Sequence, residues 1–220
     1  MTIGANRFTR VYLLTDDQGF DVDGYRWEKH TVCNNACVES LYMHPAIAVL
    51  LNPLYERLEN DNLAVWKGTA KGATPDGIGR FKATGLALVD RIVIPVIPSF
   101  RQFAFALLSA RRVYSEHWFV RMTDEWLSGA EVSCDTIIGN RSLADEVLST
   151  VPHHPALASM IYSTLELSRW LSLGIHTTED ETNLAEQVAE SIELAFFTAL
   201  KLGQRLDLIE TWVELQNLLG

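Results

Sequence analysis

Between residues 99 and 128 the apolar positions fall at helical intervals. Phe103, Leu107, Tyr114, Trp118, Met122 and Trp126 lie near one stripe, mostly four apart, and Phe100, Ala104, Phe105, Leu108 and Phe119 widen it. Pro98 blocks an earlier start, Ser99 with Gln102 three residues on forms a capping box, and Gly129 supplies a stop. The pattern predicts one central helix of about 40 Å, at ~1.5 Å per residue, covered on several sides.

Upstream the period shortens. Residues 7–15 (RFTRVYLLT) and 25–32 (YRWEKHTV) read as two strands joined through DDQGFDVDG, whose Asp and Gly cluster is turn chemistry. Asn34 or Asn35 can cap a helix to about Met43. His44-Pro45 interrupts it before a further turn to Leu51, and Asn52-Pro53 opens a short helix ending near Asn60. Residues 63–70 and 78–84 flank the turn-rich KGATPDG, and 86–97 continues with β-branched residues, so two or three strands are expected, with Pro95 placing the last on an edge or ending its pairing.

Downstream of the central helix, Ser142 with Asp145 starts a short helix to about Val151, and VPHHP breaks it. Pro155 opens another, with Leu157, Ile161, Leu165 and Trp170-Leu171 inward, stopped by Gly174. Thr178 with Glu181 opens the most regular amphipathic helix: Leu184, Val188, Ile192, Ala195, Phe196, Ala199 and Leu200 share a face, and Gly203 ends it. A last helix to about Leu218 presents Leu206, Ile209, Trp212, Val213 and Leu215. The expected class is α+β: strands and short helices in 1–97, then a helical half, 98–220, organised on the one long helix. No solenoid repeat and no linker long enough for two independent domains is visible.

Composition changes this picture little, with 48% hydrophobic and 21% charged residues in 220. No run has the ~18 to 20 apolar residues of a membrane span and 1–10 carry no secretory h-region, so the expected compartment is the cytoplasm, with no membrane partner. Cys33, Cys37 and Cys134 have no disulfide-framework spacing. Charge is more telling. The total of −10 hides a middle, 64–112, at +6 and a tail from residue 175 at −7. An acidic helical surface can therefore meet a basic middle, within one chain or between two.

Tyr42-Met43-His44-Pro45-Ala46, then Leu63-Ala64-Val65-Trp66-Lys67-Gly68, then Phe81-Lys82-Ala83 form a sequence of short motifs over 42–97. This stretch, about a quarter of the chain, resembles an uncharacterised bacterial and phage domain in which a His-containing segment before a short helix precedes a strand with Trp and Gly. The Gly-Phe-His beginning of that domain is Tyr42-Met43-His44 here. The resemblance implies an architecture and no chemistry.

The candidate chemistry is sparse. Asp21-Val22-Asp23-Gly24 has the look of a calcium loop, but the register puts Gly19 first and His30 twelfth, where carboxylates are required. Cys33 and Cys37, on one face of a helix, can supply two metal ligands with no second pair to complete a site; no metal or cofactor is expected. Gly68, Gly72, Gly77 and Gly79 with Lys67 and Lys71 lack the ending of a phosphate loop and read as a long hairpin tip. Arg112 to His117 is Arg-x4-His. It resembles the catalytic motif of helical ribonucleases of defence and toxin systems, which implies proton transfer by His117 and charge stabilisation by Arg112 at a scissile phosphate. With spacers of four to six residues allowed, Arg111 to His117 and Arg169 to His176 also fit, and Val113 stands where a polar residue is usual. Glu116, Asp124 and Glu125 add acids to the same helix, with the last two diverging by about 100°. Without a specific catalytic motif, the expected function is a non-catalytic interaction or regulatory protein, with a protein partner or self-association favoured over nucleic acid. The alternative is a ribonuclease or other phosphate-directed enzyme.

Overall fold

The chain divides into two compact units, Met1–Ile97 and Pro98–Gly220. The computed structural model describes residues 8–21, 23–51, 63–128, 132–150, 155–173 and 178–219. The first unit is built on strands β1 (Phe8–Asp16), β2 (Val32–Tyr42), β3 (Leu63–Lys71), β4 (Thr74–Pro75) and β5 (Arg80–Ile92), with helix α1 (Pro45–Leu51). All pairings are antiparallel: β1 lies between β2 and β3, β3 between β1 and β5, and β5 also pairs β2. Four strands thus close on themselves as a small barrel, to which β4 adds a two-residue pairing beside β5.

Alternation explains the interior. Val11 and Leu13 of β1, Trp66 and Ala70 of β3, Val38 and Leu41 of β2, and Leu86 and Leu88 of β5 form one buried cluster with Trp27. The indole of Trp66 donates to Thr15 Oγ1 at 3.0 Å, so its polar atom is satisfied inside the wall. Closure needs curvature, and β2 supplies it through two register irregularities, between Asn34 and Val38 and between Val38 and Leu41; Ser40 sits at the second with φ 56°. A further bulge on β5 faces Lys67 and Gly68. There the backbones approach so closely that a Cβ on Gly68 would lie 2.7 Å from the carbonyl oxygen of Ala87.

Two expectations for this unit are overturned. Residues 34–42 are strand where a helix is expected, because the segment pairs β5 along its length and β1 at its end, and two neighbours outweigh local capping signals. Residues 25–32 are not the second strand of a hairpin. Asp21 gathers them instead: its carboxylate accepts from Asp23 N at 3.0 Å, Tyr25 N at 2.9 Å and Trp27 Nε1 at 2.6 Å, leaving only a bridge between Phe20 and Arg26. Gly72, Gly77 and Gly79 lie at the tip of the β3–β5 hairpin, as expected, whereas Gly68 lies within β3. The expected helix at 53–60 lies outside the described residues. Helix α1 starts after His44 and packs on β1 and β2, with residues 46–51 buried. His44 Nδ1 accepts from Ala46 N at 3.2 Å, and burial lowers the pKa of the ring.

The second unit contains α2 (Ser99–Val113), α3 (His117–Leu127), α4 (Cys134–Thr150), α5 (Pro155–Leu173), α6 (Thr178–Lys201) and α7 (Leu208–Leu219). The class is α+β, but the expected 99–128 rod is two helices. Tyr114 is extended at φ −125°, ψ 107°, and Glu116 is the extended N-cap of α3. On a continuous helix Arg111 and Asp124 would stand about 20 Å apart; here they form an ion pair at 2.5 Å, and the rings of Phe103 and Trp126 meet edge-on at 5.3 Å. So α3 folds back on α2. No glycine or proline marks the break. Packing drives it: Phe119, which a helix would turn about 140° away from Tyr114, contacts that ring at 5.3 Å, with half-buried Trp118 joining both.

Helix α2 keeps the central role, with residues 102–110 buried as it packs against α3, α5, α6 and α7. The expected Ser99 capping box does not form; Arg101 and Gln102 N–H groups donate to Pro98 O at 2.8 and 3.1 Å. Helix α4 begins well before the expected Ser142, since Ser133 Oγ accepts from Thr136 N at 3.2 Å, whereas the Ser142 hydroxyl donates to Ile138 O inside the helix. The inward face of α6 is as expected through Leu184, Val188, Ile192 and Ala199, but Leu200 is 58% exposed. Gly203, at φ 68°, ends the helix, with Gln204 N donating to Ala199 O at 2.8 Å.

Candidate functional site

The sequence directs attention to the end of α2 and the start of α3. Arg111 and Arg112 close α2, where the helix dipole favours cations. Each is engaged by a carboxylate. Arg111 Nη1 donates to Asp124 on α3, and Arg112 Nε donates to Glu214 Oε2 at 3.1 Å, with its Nη2 on the same oxygen and Glu210 at 3.7 Å. His117, the other half of Arg-x4-His, is the first residue of α3 and exposed. The break in the rod therefore separates the motif onto two helices, and a pair on successive turns of one helix is not what the chain builds.

Two of the three acids noted on this stretch are likewise engaged, and the third, Glu116, is the exposed N-cap of α3. Asp124 binds Arg111, and Glu125 is 3.9 Å from Arg121 on α3. Tyr114, between the two helices, has its phenol pushed up chiefly by burial, with the charge of Glu116 adding to it. The Cys33-x3-Cys37 spacing falls on β2. At ~3.3 Å per residue its α-carbons span about 13 Å, not the single turn of a helix, so the premise of two adjacent ligands fails. Among the described residues no group of three or more His, Cys, Asp or Glu side chains is placed to hold a metal ion.

The structure instead shows a feature that motif reading missed. One face of α7, carrying Ile209, Glu210, Val213, Glu214, Asn217 and Leu218, is a shallow groove open to solvent. Val213 is 47% and Leu218 56% exposed, while Trp212 and Leu215 on the opposite side are buried. Arg112 reaches the two groove glutamates, so the match foreseen between acidic tail and basic middle exists within this unit. Charge blocks gave that signal; the spacing of four between 209, 213 and 217 is the pattern that would have marked the groove.

Among the described residues no helix is long and apolar enough to cross a membrane. No protein-family model matches the chain, and no curated protein or solved structure shows significant similarity to it.

Proposed function

We propose that this chain is a non-catalytic interaction protein of the cytoplasm that works through protein contacts, its own copies included. The observation that carries this reading is the state of Arg112. A guanidinium that stabilises a scissile phosphate must be able to face it, and this one is held by Glu214 and Glu210. What those pairs border is an apolar-centred helix face, Ile209, Val213 and Leu218, of the kind that packs against a second copy about a twofold axis.

Light scattering across micromolar concentrations tests it. The expected result is a mass above 24.7 kDa that falls to the single-chain value in Val213→Asp. A constant single-chain mass removes self-association. RNA cleavage lost in His117→Ala, with the helical content unchanged, overturns the non-catalytic reading in favour of the ribonuclease.

A further inference from the structure

The outer surface of β1 and β3 has two halves of opposite character. Residues directly opposite in an antiparallel ladder share a face, and the register sets Phe8 against Lys71, Arg10 against Thr69 and Tyr12 against Lys67. The intervening Val11 and Leu13 belong to the barrel interior, so these six lie on the outside. Farther along the same face Leu14 and Val65 are fully buried. The half at Phe8 is open: its ring is 73% exposed, and Arg10, Thr69 and Lys71 are exposed beside it.

This half carries three cations and no acid. Arg10, Lys67 and Lys71 form no ion pair among the described residues. Asp90, which opposes Lys67 from β5, is bound to Lys29 Nζ at 2.7 Å and also feels the charge of Lys67 without an ion pair to it. From Lys67 to Lys71 the array runs about 13 Å along β3, with Arg10 across from its middle. The unfavourable charge is elsewhere: residues 1–97 have net −1 and residues 98–220 net −9.

We infer that the open half-face of β1 and β3 binds single-stranded nucleic acid, with phosphates on Arg10, Lys67 and Lys71 and a base stacked on Phe8. A bare aromatic ring among unpaired cations is the combination that single-strand binders use: charge follows the backbone and the ring takes a base that a duplex would hide. An acidic polypeptide satisfies the cations equally but has no use for the ring. The inference concerns the barrel unit and stands apart from the α7 reading.

Fluorescence anisotropy on the full chain tests it, with labelled single-stranded oligouridylate and oligothymidylate of about 10 nucleotides. Three phosphate contacts at ~0.7 each give a log–log salt slope near −2, so binding weakens about 20-fold between ~50 and ~200 mM salt. Phe8→Ala is expected to weaken binding roughly tenfold while keeping that slope. Arg10→Gln, Lys67→Gln and Lys71→Gln together flatten it, and Lys201→Gln on α6 changes nothing. Circular dichroism confirms that each variant folds. Binding of both oligomers, or of either alone, supports the assignment, and a preference for one names the sugar. No binding at ~50 mM salt, affinity unmoved by the triple change, or polyglutamate bound as tightly and with the same indifference to Phe8→Ala overturns it.

Discussion

Gly68→Ala probes the barrel where its walls are closest. Gly68 opposes Val11 on β1 and Leu88 on β5, so an added methyl enters the interior. It would stand 2.7 Å from Ala87 O, 3.1 Å from Leu88 Cδ2 and 3.3 Å from Leu86 Cδ1. The first contact is with backbone, and both leucines are 2% exposed, so relief requires the β3–β5 ladder to open at its bulge. Overpacking of this kind costs about 1–3 kcal/mol. Restricting the unfolded chain returns about 0.4–1 kcal/mol, which leaves a net loss of about 1–2 kcal/mol. Gly139→Ala on α4 has open space around it and helical backbone, so it should stabilise by about 0.5–1 kcal/mol. Amide hydrogen exchange resolves the two units: protection should fall in β1, β3 and β5 for the first variant and rise in α4 for the second. A Gly68→Ala chain as stable as the parent would mean that the walls are not in contact there.

Two further outcomes follow from charges with defined partners. The folded barrel unit holds His44 neutral more strongly than the unfolded chain does, so its stability is complete above pH 6.5 and declines as pH falls through the lowered folded pKa; the NMR titration of His44 should show a midpoint below 6.5, and His44→Asn, which keeps an acceptor for Ala46 N, should remove that decline. The pair Arg112 and Glu214 lies at the surface, so a double-mutant cycle with Arg112→Gln and Glu214→Gln should give a coupling of about 0.5 kcal/mol that shrinks at high salt, and zero coupling at low salt would say that the pair does not form.

Elements whose causes are local could be read from the residues that cause them. Pro155 opens α5, Gly203 closes α6, and the alternation of 8–16 and 63–71 marks two walls of the barrel. Elements whose causes are distant could not. Asn34 and Asn35 look like capping residues, and pairing with β5, more than forty positions on, together with β1 at the far end makes their segment a strand. The break at 114–116 has no punctuating residue, because the energy that folds α3 back comes from Trp126 on Phe103 and Phe119 on Tyr114. The candidate site inherited that error. Arg-x4-His presupposed an unbroken helix, and the partners that hold Arg112 come from α7, about a hundred residues later. The cation array on β1 and β3 needed the register, since Arg10 and Lys71 are neighbours only once the ladder is drawn.

The closed ring of strands also sets a timetable. Its last seam joins Val32 to Ala87, 55 residues apart. A ribosome adding about 5–20 residues per second needs roughly 3 to 11 s to deliver the second partner after the first, whereas a local hairpin forms in about 1–10 μs. For that interval Val11, Leu13, Val38 and Leu41, all sealed in the finished wall, have no β5 to close over them. The helical unit that follows carries its turn-back contact, Arg111 to Asp124, within 13 positions. The half of the chain made first is therefore the half that waits, and its fate during synthesis rests on how well a nascent β1 and β2 stay apart from other chains until Arg80–Ile92 arrives.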